Sequence, residues 1–264
     1  MTIPAPRTGH VALVTGASSG IGREIARGLA AEGHDLVIAA RRLDRLEDLA
    51  TELRAHGRRV LPLGCDVSDP ESREALLDAV ADAGLTVDVL VLCAGYGAGG
   101  AFTSLDPAAV RGLVRTNVEG VMELAVRVAP GMQERRTGAI LVVSSIVGNQ
   151  PMPGLVAYAA TKAAVTSFGE ALHDELRDHG VTVSVLCPGE VDTEFAVVAG
   201  VDEITAAVPG FLRIDAESCA RAGLDGLRDG RRKVVPLVPV KVLHAVGGLA
   251  PRRLWFRLAR SLVT

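Results

Sequence analysis

Hydrophobic residues along this chain fall in short, nearly continuous runs, separated by longer stretches in which apolar and polar positions alternate with helical spacing. The runs are VALVTG, DLVIAA, RVLPLGCDV, DVLVLCAG, AILVVSS and TVSVLCPG. A run that is apolar on both faces indicates a strand of a parallel sheet covered by helices on both sides. The repeated alternation therefore predicts an α/β fold, a doubly wound parallel sheet of the Rossmann type in a single domain.

Helix boundaries are marked by capping residues. Asp69 precedes Pro70 and Asp106 precedes Pro107, which places a capping side chain before a proline at the first helical position. Helix ends are predicted at four glycines, Gly33, Gly57, Gly84 and Gly180.

The first strand is followed directly by TGASSGIG, residues 15–22. Glycines at 16, 20 and 22 allow a sharp turn, close approach of a pyrophosphate and packing of the next helix on the sheet. A plain tight turn could use the same residues, but the position after the first strand of a βαβ unit favours dinucleotide binding. The predicted contacts are Gly16, Ser18, Ser19, Gly20, Ile21 and Gly22.

The second strand ends at Arg41 and Arg42, where an NAD-preferring protein usually carries a carboxylate. Guanidinium groups match a 2′-phosphate, so NADP is favoured and NAD is less favoured. Alternatively, both arginines are solvated residues that open the next helix. Asp66, after the third strand and next to Val67, could accept a hydrogen bond from the adenine amino group or could equally cap a turn.

The motif YAATK contains one of two tyrosines and one of three lysines in the chain. Tyr158 and Lys162 are four residues apart, so on a helix they share a face, and the ammonium is expected to lower the pKa of the phenol. Such a phenol is a proton donor and acceptor for carbonyl chemistry. A surface pair on an amphipathic helix is the alternative.

Three further polar residues accompany this motif. Ser145 ends the fifth strand, where a hydroxyl can polarise a substrate carbonyl, and Ser144 points to the other side, so that one of the two serines is expected to be structural. Asn117 interrupts a helical stretch, and by itself indicates a local bend.

Composition and charge narrow the function classes. The chain has 264 residues and a formal net charge of −3, which gives no overall case for nucleic acid binding. Its four cysteines are far apart, a pattern that suits neither a metal cluster nor a disulfide framework, so no metal is predicted. Reduced thiols and an N-terminus without an apolar export signal indicate a cytoplasmic location.

The C-terminal part differs in charge from the rest. Residues 231–264 carry eight Lys or Arg and no carboxylate, which leaves a net −11 on the remainder. We predict a catalytic domain over residues 1–230, with a substrate lid at about 190–213, and a last strand plus a basic extension over 231–264. From Pro251 a helix would place Leu254, Trp255, Leu258 and Leu262 opposite Arg253, Arg257 and Arg260. It could lie on an anionic membrane, although docking on its own domain or at a subunit interface is favoured.

Together, TGASSGIG, CAG at 93–95, Asn117, Ser145, YAATK and PGEVDT at 188–193 resemble the short-chain dehydrogenase/reductase family from about residue 9 to 195. The resemblance implies NAD(P)-dependent interconversion of a carbonyl and an alcohol. It implies that Tyr158 is the acid/base, that Ser145 orients the substrate oxygen, that Lys162 binds the ribose and that Asn117 holds a water that relays protons. Further cofactor contacts are expected at Val67, Cys93, Ala94, Gly95, Pro188, Gly189, Val191 and Thr193.

One departure from the family pattern lies at the fourth strand. The family usually has Asn-Asn-Ala-Gly where this chain has Leu92 and Cys93 before Ala94, so side-chain hydrogen bonds near the cofactor are expected to be lost. Apolar residues of the lid, with Met152, Leu155 and Val156, suggest a lipophilic substrate, or else a surface that packs on a partner subunit. A homodimer or homotetramer is expected. A protein that binds NADP as a sensor without turnover is the competing function.

Overall fold

The computed structural model describes residues 3–201, 205, 208–242, 253, 255 and 256. Its strands are β1 (His10–Thr15), β2 (Asp35–Ala40), β3 (Val60–Gly64), β4 (Thr86–Leu92), β5 (Gly138–Val143), β6 (Val181–Leu186), β7 (Glu190–Asp192), β8 (Arg213–Asp215) and β9 (Lys233–Val234). Within the described residues, seven of them form one parallel sheet in the order β3-β2-β1-β4-β5-β6-β9. The six strands predicted from the hydrophobic runs are confirmed.

Helices cover both faces of the sheet. They are α1 (Gly20–Ala31), α2 (Leu43–Ala55), α3 (Pro70–Asp82), α4 (Pro107–Val114), α5 (Gly120–Glu134), α6 (Val156–Arg177), α7 (Phe195–Ala199) and α8 (Ala216–Arg228). Buried residues of α1, α2 and α8, such as Ile25, Leu46 and Leu224, form a core on one face. Those of α3, α5 and α6, such as Leu76, Leu124 and Val165, form a core on the other. The doubly wound prediction is therefore confirmed.

The capping signals act as predicted. The side chain of Asp69 accepts a hydrogen bond from the backbone N–H of Glu71 at 3.2 Å, and that of Asp106 accepts one from Ala108 at 2.9 Å. Gly33, Gly57, Gly84 and Gly180 follow helices with φ between 66° and 100°, the left-handed conformation that glycine adopts without steric cost.

Residues 190–215 lie outside the seven-stranded sheet, between β6 and α8. β7 and β8 pair in parallel, with Glu190 opposite Arg213 and Asp192 opposite Asp215, and Arg213 forms an ion pair with Asp192 at 3.0 Å. The predicted lid therefore starts and ends side by side.

The predicted C-terminal amphipathic helix lies largely outside the described residues. Of its positions, the structure describes Arg253, Trp255 and Phe256, which are helical. The indole N–H of Trp255 donates to the backbone oxygen of Pro151 at 2.8 Å. Among the residues that the structure describes, none of the helices combines the length and the apolar character needed to cross a bilayer.

Candidate active site

The glycine-rich turn lies at the carboxyl end of β1, where the strand order reverses and a crevice opens between β1 and β4. Gly16 has φ 71°, and a Cβ on it would lie 2.8 Å from Cα of Ala94. A Cβ on Gly22 would lie 2.4 Å from the backbone oxygen of Gly16. A side chain at either position would collide with backbone atoms, so glycine is needed for the turn to pack this closely against the loop after β4 and against the start of α1.

A threonine joins the end of β4 to the end of β1 by hydrogen bonds. The hydroxyl of Thr15 accepts hydrogen bonds from the N–H groups of Cys93 and Ala94 and donates to the oxygen of Val91 at 3.1 Å. Leu92 is buried in the core instead. The end of β4 is thus tied to β1, so the departure at Leu92 and Cys93 leaves this junction hydrogen-bonded. Burial raises the pKa of the Cys93 thiol to about 12, so it is neutral at physiological pH.

Tyr158 and Ser145 lie together at the carboxyl edge of the sheet. The Ser145 side chain lies close enough to the phenol to oppose the rise of its pKa, and the ring of Phe195 packs against Tyr158 with 5.4 Å between ring centroids. Ser144 points the other way, where its buried hydroxyl contacts Thr166 Oγ1 at 2.6 Å and donates to the oxygen of Lys162 at 3.0 Å. The expectation that one serine is structural is confirmed, and the structural one is Ser144.

Lys162 lies beside Tyr158, with 5.9 Å between its Nζ and the centroid of the phenol ring. The ammonium donates to the backbone oxygen of Val143 at 2.8 Å. The expected lowering of the Tyr158 pKa is wrong for this structure. Burial raises that pKa well above its ordinary value, and the nearby Ser145 hydroxyl opposes the rise by a smaller amount. Burial likewise lowers the pKa of Lys162 to about 8.

Asn117 lies on a π-helical turn, Arg115–Glu119, between α4 and α5, and is fully buried. Its side-chain oxygen accepts from the N–H of Tyr96 at 3.1 Å, and its amide donates to the oxygen of Tyr96 at 2.9 Å and to Thr161 Oγ1 at 3.1 Å. The interruption of the helical stretch expected at this residue takes the form of a π-helical turn. It directs the amide into the junction between the loop after β4 and helix α6.

Gly95 lies between Asn117 and Lys162. A Cβ on this residue would lie 3.1 Å from the Asn117 side-chain oxygen and 3.5 Å from Lys162 Nζ. The glycine therefore leaves room at the point where these two side chains converge. It also lets the backbone of the loop after β4 lie close to both side chains.

The two arginines after β2 have different surroundings. Arg41 is exposed, whereas Arg42 donates to the hydroxyls of Ser18 at 3.1 Å and Ser19 at 2.7 Å. Arg42 also forms an ion pair with Glu194 at 2.9 Å. The interpretation of both as merely solvated residues is therefore wrong for Arg42, which contacts the glycine-rich turn directly.

Asp66 caps a turn, which was one of its two predicted roles. Its carboxylate accepts from the N–H of Ser68 at 2.9 Å and from its hydroxyl at 2.7 Å. Burial raises the pKa of Asp66, but these hydrogen bonds and the charge of Arg41 outweigh it, so the pKa lies below its ordinary value. The neighbouring Val67 is held by the fully buried Arg73, which donates to its oxygen at 2.7 Å.

The PGEVDT segment crosses the same edge of the sheet. The oxygen of Pro188 accepts from the N–H of Ile146 at 2.9 Å, and the next residue, Gly189, leads into β7. Val191 is buried, and a Cβ on Gly20 would lie 3.1 Å from the side chain of Thr193. The segment is therefore in contact with both the Ser145 loop and the glycine-rich turn.

The predicted site residues thus converge on one edge of the sheet, and the structure adds three that sequence reasoning missed. They are Thr15, Glu194 and Phe195. Thr15 could have been suspected from its position at the end of β1, and Glu194 from the carboxylate directly after Thr193. Phe195 carried no signal beyond its hydrophobicity.

Known proteins resemble this chain over most of its length. A family model described as short chain dehydrogenase matches residues 10–203. A Streptomyces coelicolor protein described as an inferred ketoacyl reductase is 41% identical over 194 residues, which cover 73% of this chain and 74% of that protein.

Solved structures agree with this result. A short-chain dehydrogenase from Sphingobium yanoikuyae in complex with NADPH has a TM-score of 0.81 and 32% identity, and the match covers 91% of this chain and 92% of that chain. A short-chain dehydrogenase/reductase from Burkholderia phymatum in complex with NAD has a TM-score of 0.82 and 27% identity, covering 90% and 92%.

Proposed function

Because this chain belongs to the short-chain dehydrogenase/reductase family and is an NAD(P)-dependent oxidoreductase that interconverts a carbonyl and an alcohol, we propose that it uses NADP(H) and acts on a lipophilic substrate. The observation that carries this proposal is the buried phenol of Tyr158. It lies beside Ser145 and Lys162, at the edge of the sheet where the glycine-rich turn lies.

The glycine-rich turn and the groups around it fit the cofactor. The pyrophosphate would be held by the glycine-rich turn, at Gly16, Ser18, Ser19, Gly20, Ile21 and Gly22. The adenosine and the ribose would lie toward Asp66, Val67, Cys93, Ala94 and Gly95. The nicotinamide would lie toward Pro188, Gly189, Val191 and Thr193. Arg42, already directed at Ser18 and Ser19, and the exposed Arg41 would receive the 2′-phosphate, which supports NADP over NAD. When bound, the cofactor supplies or accepts the hydride.

The chain's own residues would manage the proton. Since burial keeps Tyr158 protonated at neutral pH, its phenol is ready to donate a proton to a carbonyl oxygen that the Ser145 hydroxyl orients. The Lys162 ammonium, 5.9 Å from the ring centroid, would stabilise the resulting phenolate and bind the ribose. Asn117 would hold the loop at Tyr96 in place and, as the family resemblance implies, a relay water toward Lys162.

Apolar residues around the phenol support a lipophilic substrate, such as a long-chain acyl, steroid or terpenoid carbonyl. Phe195 covers Tyr158, and Val197, Val198 and Phe211 on the segment between β7 and β8 are exposed. In this proposal the segment acts as the substrate lid, and these side chains gain contacts when substrate is bound.

Assembly and location are also proposals. Exposed valines on α4, α5 and α6, Val114, Val126 and Val156, support contacts with another copy in a homodimer or homotetramer. Four free cysteines suit the reducing cytoplasm. The Trp255–Pro151 hydrogen bond supports docking of the C-terminal segment on its own domain in preference to a membrane surface.

The test is a panel of short aldehydes and lipophilic ketones assayed with NADPH and NADH in parallel. Tyr158→Phe should lower kcat by about 10²–10⁴-fold while NADPH still binds, because the phenol contributes the proton and not the cofactor's main contacts. Tyr96→Phe is the matched control, since it removes the other tyrosine hydroxyl, which contacts the Ala109 oxygen at 3.4 Å, and keeps the ring that packs in the apolar cluster with Tyr158. If Tyr158→Phe turns over substrate as fast as the wild type, the proposed mechanism is refuted. A preference for short aldehydes would refute the proposed substrate class. NADPH binding without turnover of any substrate would favour the competing function, a protein that senses NADP.

A further inference from the structure

Glu194 is bound by two arginines from the other side of the cofactor crevice. Its carboxylate accepts from Arg42 at 2.9 Å and from Arg45 at 2.7 and 2.9 Å. Hydrogen bonds from Arg42 and then Arg45 hold the pKa of Glu194 below its ordinary value, so the carboxylate is charged at neutral pH. The Glu194 carboxylate is therefore an anion already bound to Arg42, the residue directly before α2.

The surroundings of this carboxylate form a donor set suited to a larger anion. Arg42 also donates to the hydroxyls of Ser18 and Ser19 in the glycine-rich turn, so two guanidinium groups and two hydroxyls meet at one place. Phosphate oxygens accept from such a set in bidentate fashion. Glu194 is thus hydrogen-bonded to the same guanidinium group, that of Arg42, to which a 2′-phosphate would bind.

The ion pair also joins distant parts of the site. Glu194 follows Thr193, whose side chain lies 3.1 Å from the Cβ position of Gly20, and precedes Phe195, which packs on Tyr158. The partner of the Arg42 guanidinium is therefore the residue directly before the apolar cover of the phenol.

We infer that Glu194 is a specificity-determining residue that competes with the cofactor's 2′-phosphate for Arg42. This rests on the proposed use of NADP(H) at this site. A dinucleotide that carries the phosphate must displace the carboxylate from Arg42, whereas one that lacks it leaves the ion pair intact. Glu194 therefore weakens the binding of NADPH and leaves that of NADH unchanged. It thus reduces the preference of the protein for NADPH over NADH, measured as the ratio of their dissociation constants.

The experiment measures dissociation constants of NADPH and NADH by calorimetry on the full-length chain. Glu194→Gln keeps the shape of the side chain and removes the charge, and it should tighten NADPH binding by about three- to tenfold while NADH changes by less than about twofold. Glu217→Gln is the matched control, because Glu217 is an exposed carboxylate of α8 that pairs with Arg221 at 3.8 Å. An unchanged or weaker NADPH affinity, or an equal change for both cofactors, overturns the inference.

Arg42→Met and the double variant separate this inference from the proposed function. In the Arg42→Met background Glu194→Gln should no longer affect NADPH, since the group for which they compete is gone. If Arg42→Met leaves the NADPH to NADH ratio unchanged, the proposed 2′-phosphate site fails. If Arg42→Met lowers the ratio but Glu194→Gln has no effect in the wild-type background, the inference about Glu194 alone fails.

Discussion

Ser144 and Ser145 show how adjacent residues with the same side chain acquire different roles. Strand geometry sends successive side chains to opposite faces, so Ser145 faces the crevice beside Tyr158 and Ser144 faces α6. The sequence predicted this division. Which serine is structural depended on where Thr166 and the Lys162 carbonyl lie, which is a matter of tertiary packing.

Alanine at each serine should separate stability from catalysis. Ser144→Ala leaves the buried hydroxyl of Thr166 without its 2.6 Å partner, so the free energy of unfolding should fall by about 1–2 kcal/mol with little change in kcat. Ser145→Ala should keep the stability and lower kcat by about 10²-fold or more. Urea unfolding and steady-state assays on both variants check this, and the reverse pattern would contradict the assignment.

Burial of Lys162 makes the stability depend on pH. Its pKa is lowered from 10.5 to about 8, so between these values the unfolded chain holds a proton that the folded protein has released. Stability contributed by this group therefore rises with pH across that window, by up to about 3 kcal/mol.

Lys162→Met should lack this rise. The difference in unfolding free energy, wild type minus variant, should increase from pH 7.5 to 9.5 in urea titrations. Raised pKa values of Tyr158 and the buried cysteines act in the opposite sense at high pH, but they are present in both proteins and cancel to first order. A difference that stays flat or falls with pH would show that the lysine is not buried as described.

At the scale of elements, the π-helical turn is the feature that the sequence indicated least completely. Asn117 signalled a local bend, but the buried cation that secures the turn gave no signal. Arg73 in α3 is fully buried and pairs with Glu119 at 2.9 Å and with Glu123, while it also holds the Val67 oxygen. In sequence it resembles any charged residue of an exposed helix face.

Removing this cation should be costly. Arg73→Met removes the donor to Glu119 and to the Val67 oxygen and one of the two donors to Glu123, and the expected loss is about 2–4 kcal/mol of unfolding free energy, since both glutamates are partly solvated. Arg127→Met is the matched control, because Arg127 pairs with the same Glu123 at 3.1 Å but is 40% exposed, and about 0.5 kcal/mol is expected. Similar losses in urea unfolding would contradict the buried role of Arg73.

Strands, caps and the glycine-rich turn were predictable because each depends on local sequence. Continuous apolar runs fix the strands, and Asp69 and Asp106 fix two helix starts. The pairing of Glu194 with Arg42 spans 152 residues, and the pKa of Tyr158 depends on how completely packing excludes water. Such properties arise from tertiary contacts, which is why the predicted lowering of that pKa was wrong.

At the scale of the whole molecule, the charge is divided between an acidic body and a basic C-terminal part. Trp255, the single tryptophan, donates its indole N–H to Pro151 in the loop that precedes α6. This loop leads to Tyr158, so the C-terminal segment contacts the body close to the catalytic helix.

Tryptophan fluorescence can therefore report where the segment lies. If the C-terminal segment docks on its own domain, vesicles containing about 30% anionic lipid should not shift the emission of Trp255, because the indole N–H is already hydrogen-bonded to Pro151. The protein should also not sediment with these vesicles. Deletion of residues 251–264 provides the control for vesicle binding. A blue shift with co-sedimentation that the deletion abolishes would establish membrane binding instead.

The short parallel pair of β7 and β8 has a consequence for how this protein could diversify. Because Asp192 and Arg213 form an ion pair and lie on paired strands, the chain between them is a segment whose two ends are held next to each other. The part of it beyond Phe195 could be exchanged in length and composition, in the laboratory or by evolution, without moving β6 or α8. New carbonyl preferences could then be acquired while the chemistry at the phenol stays the same.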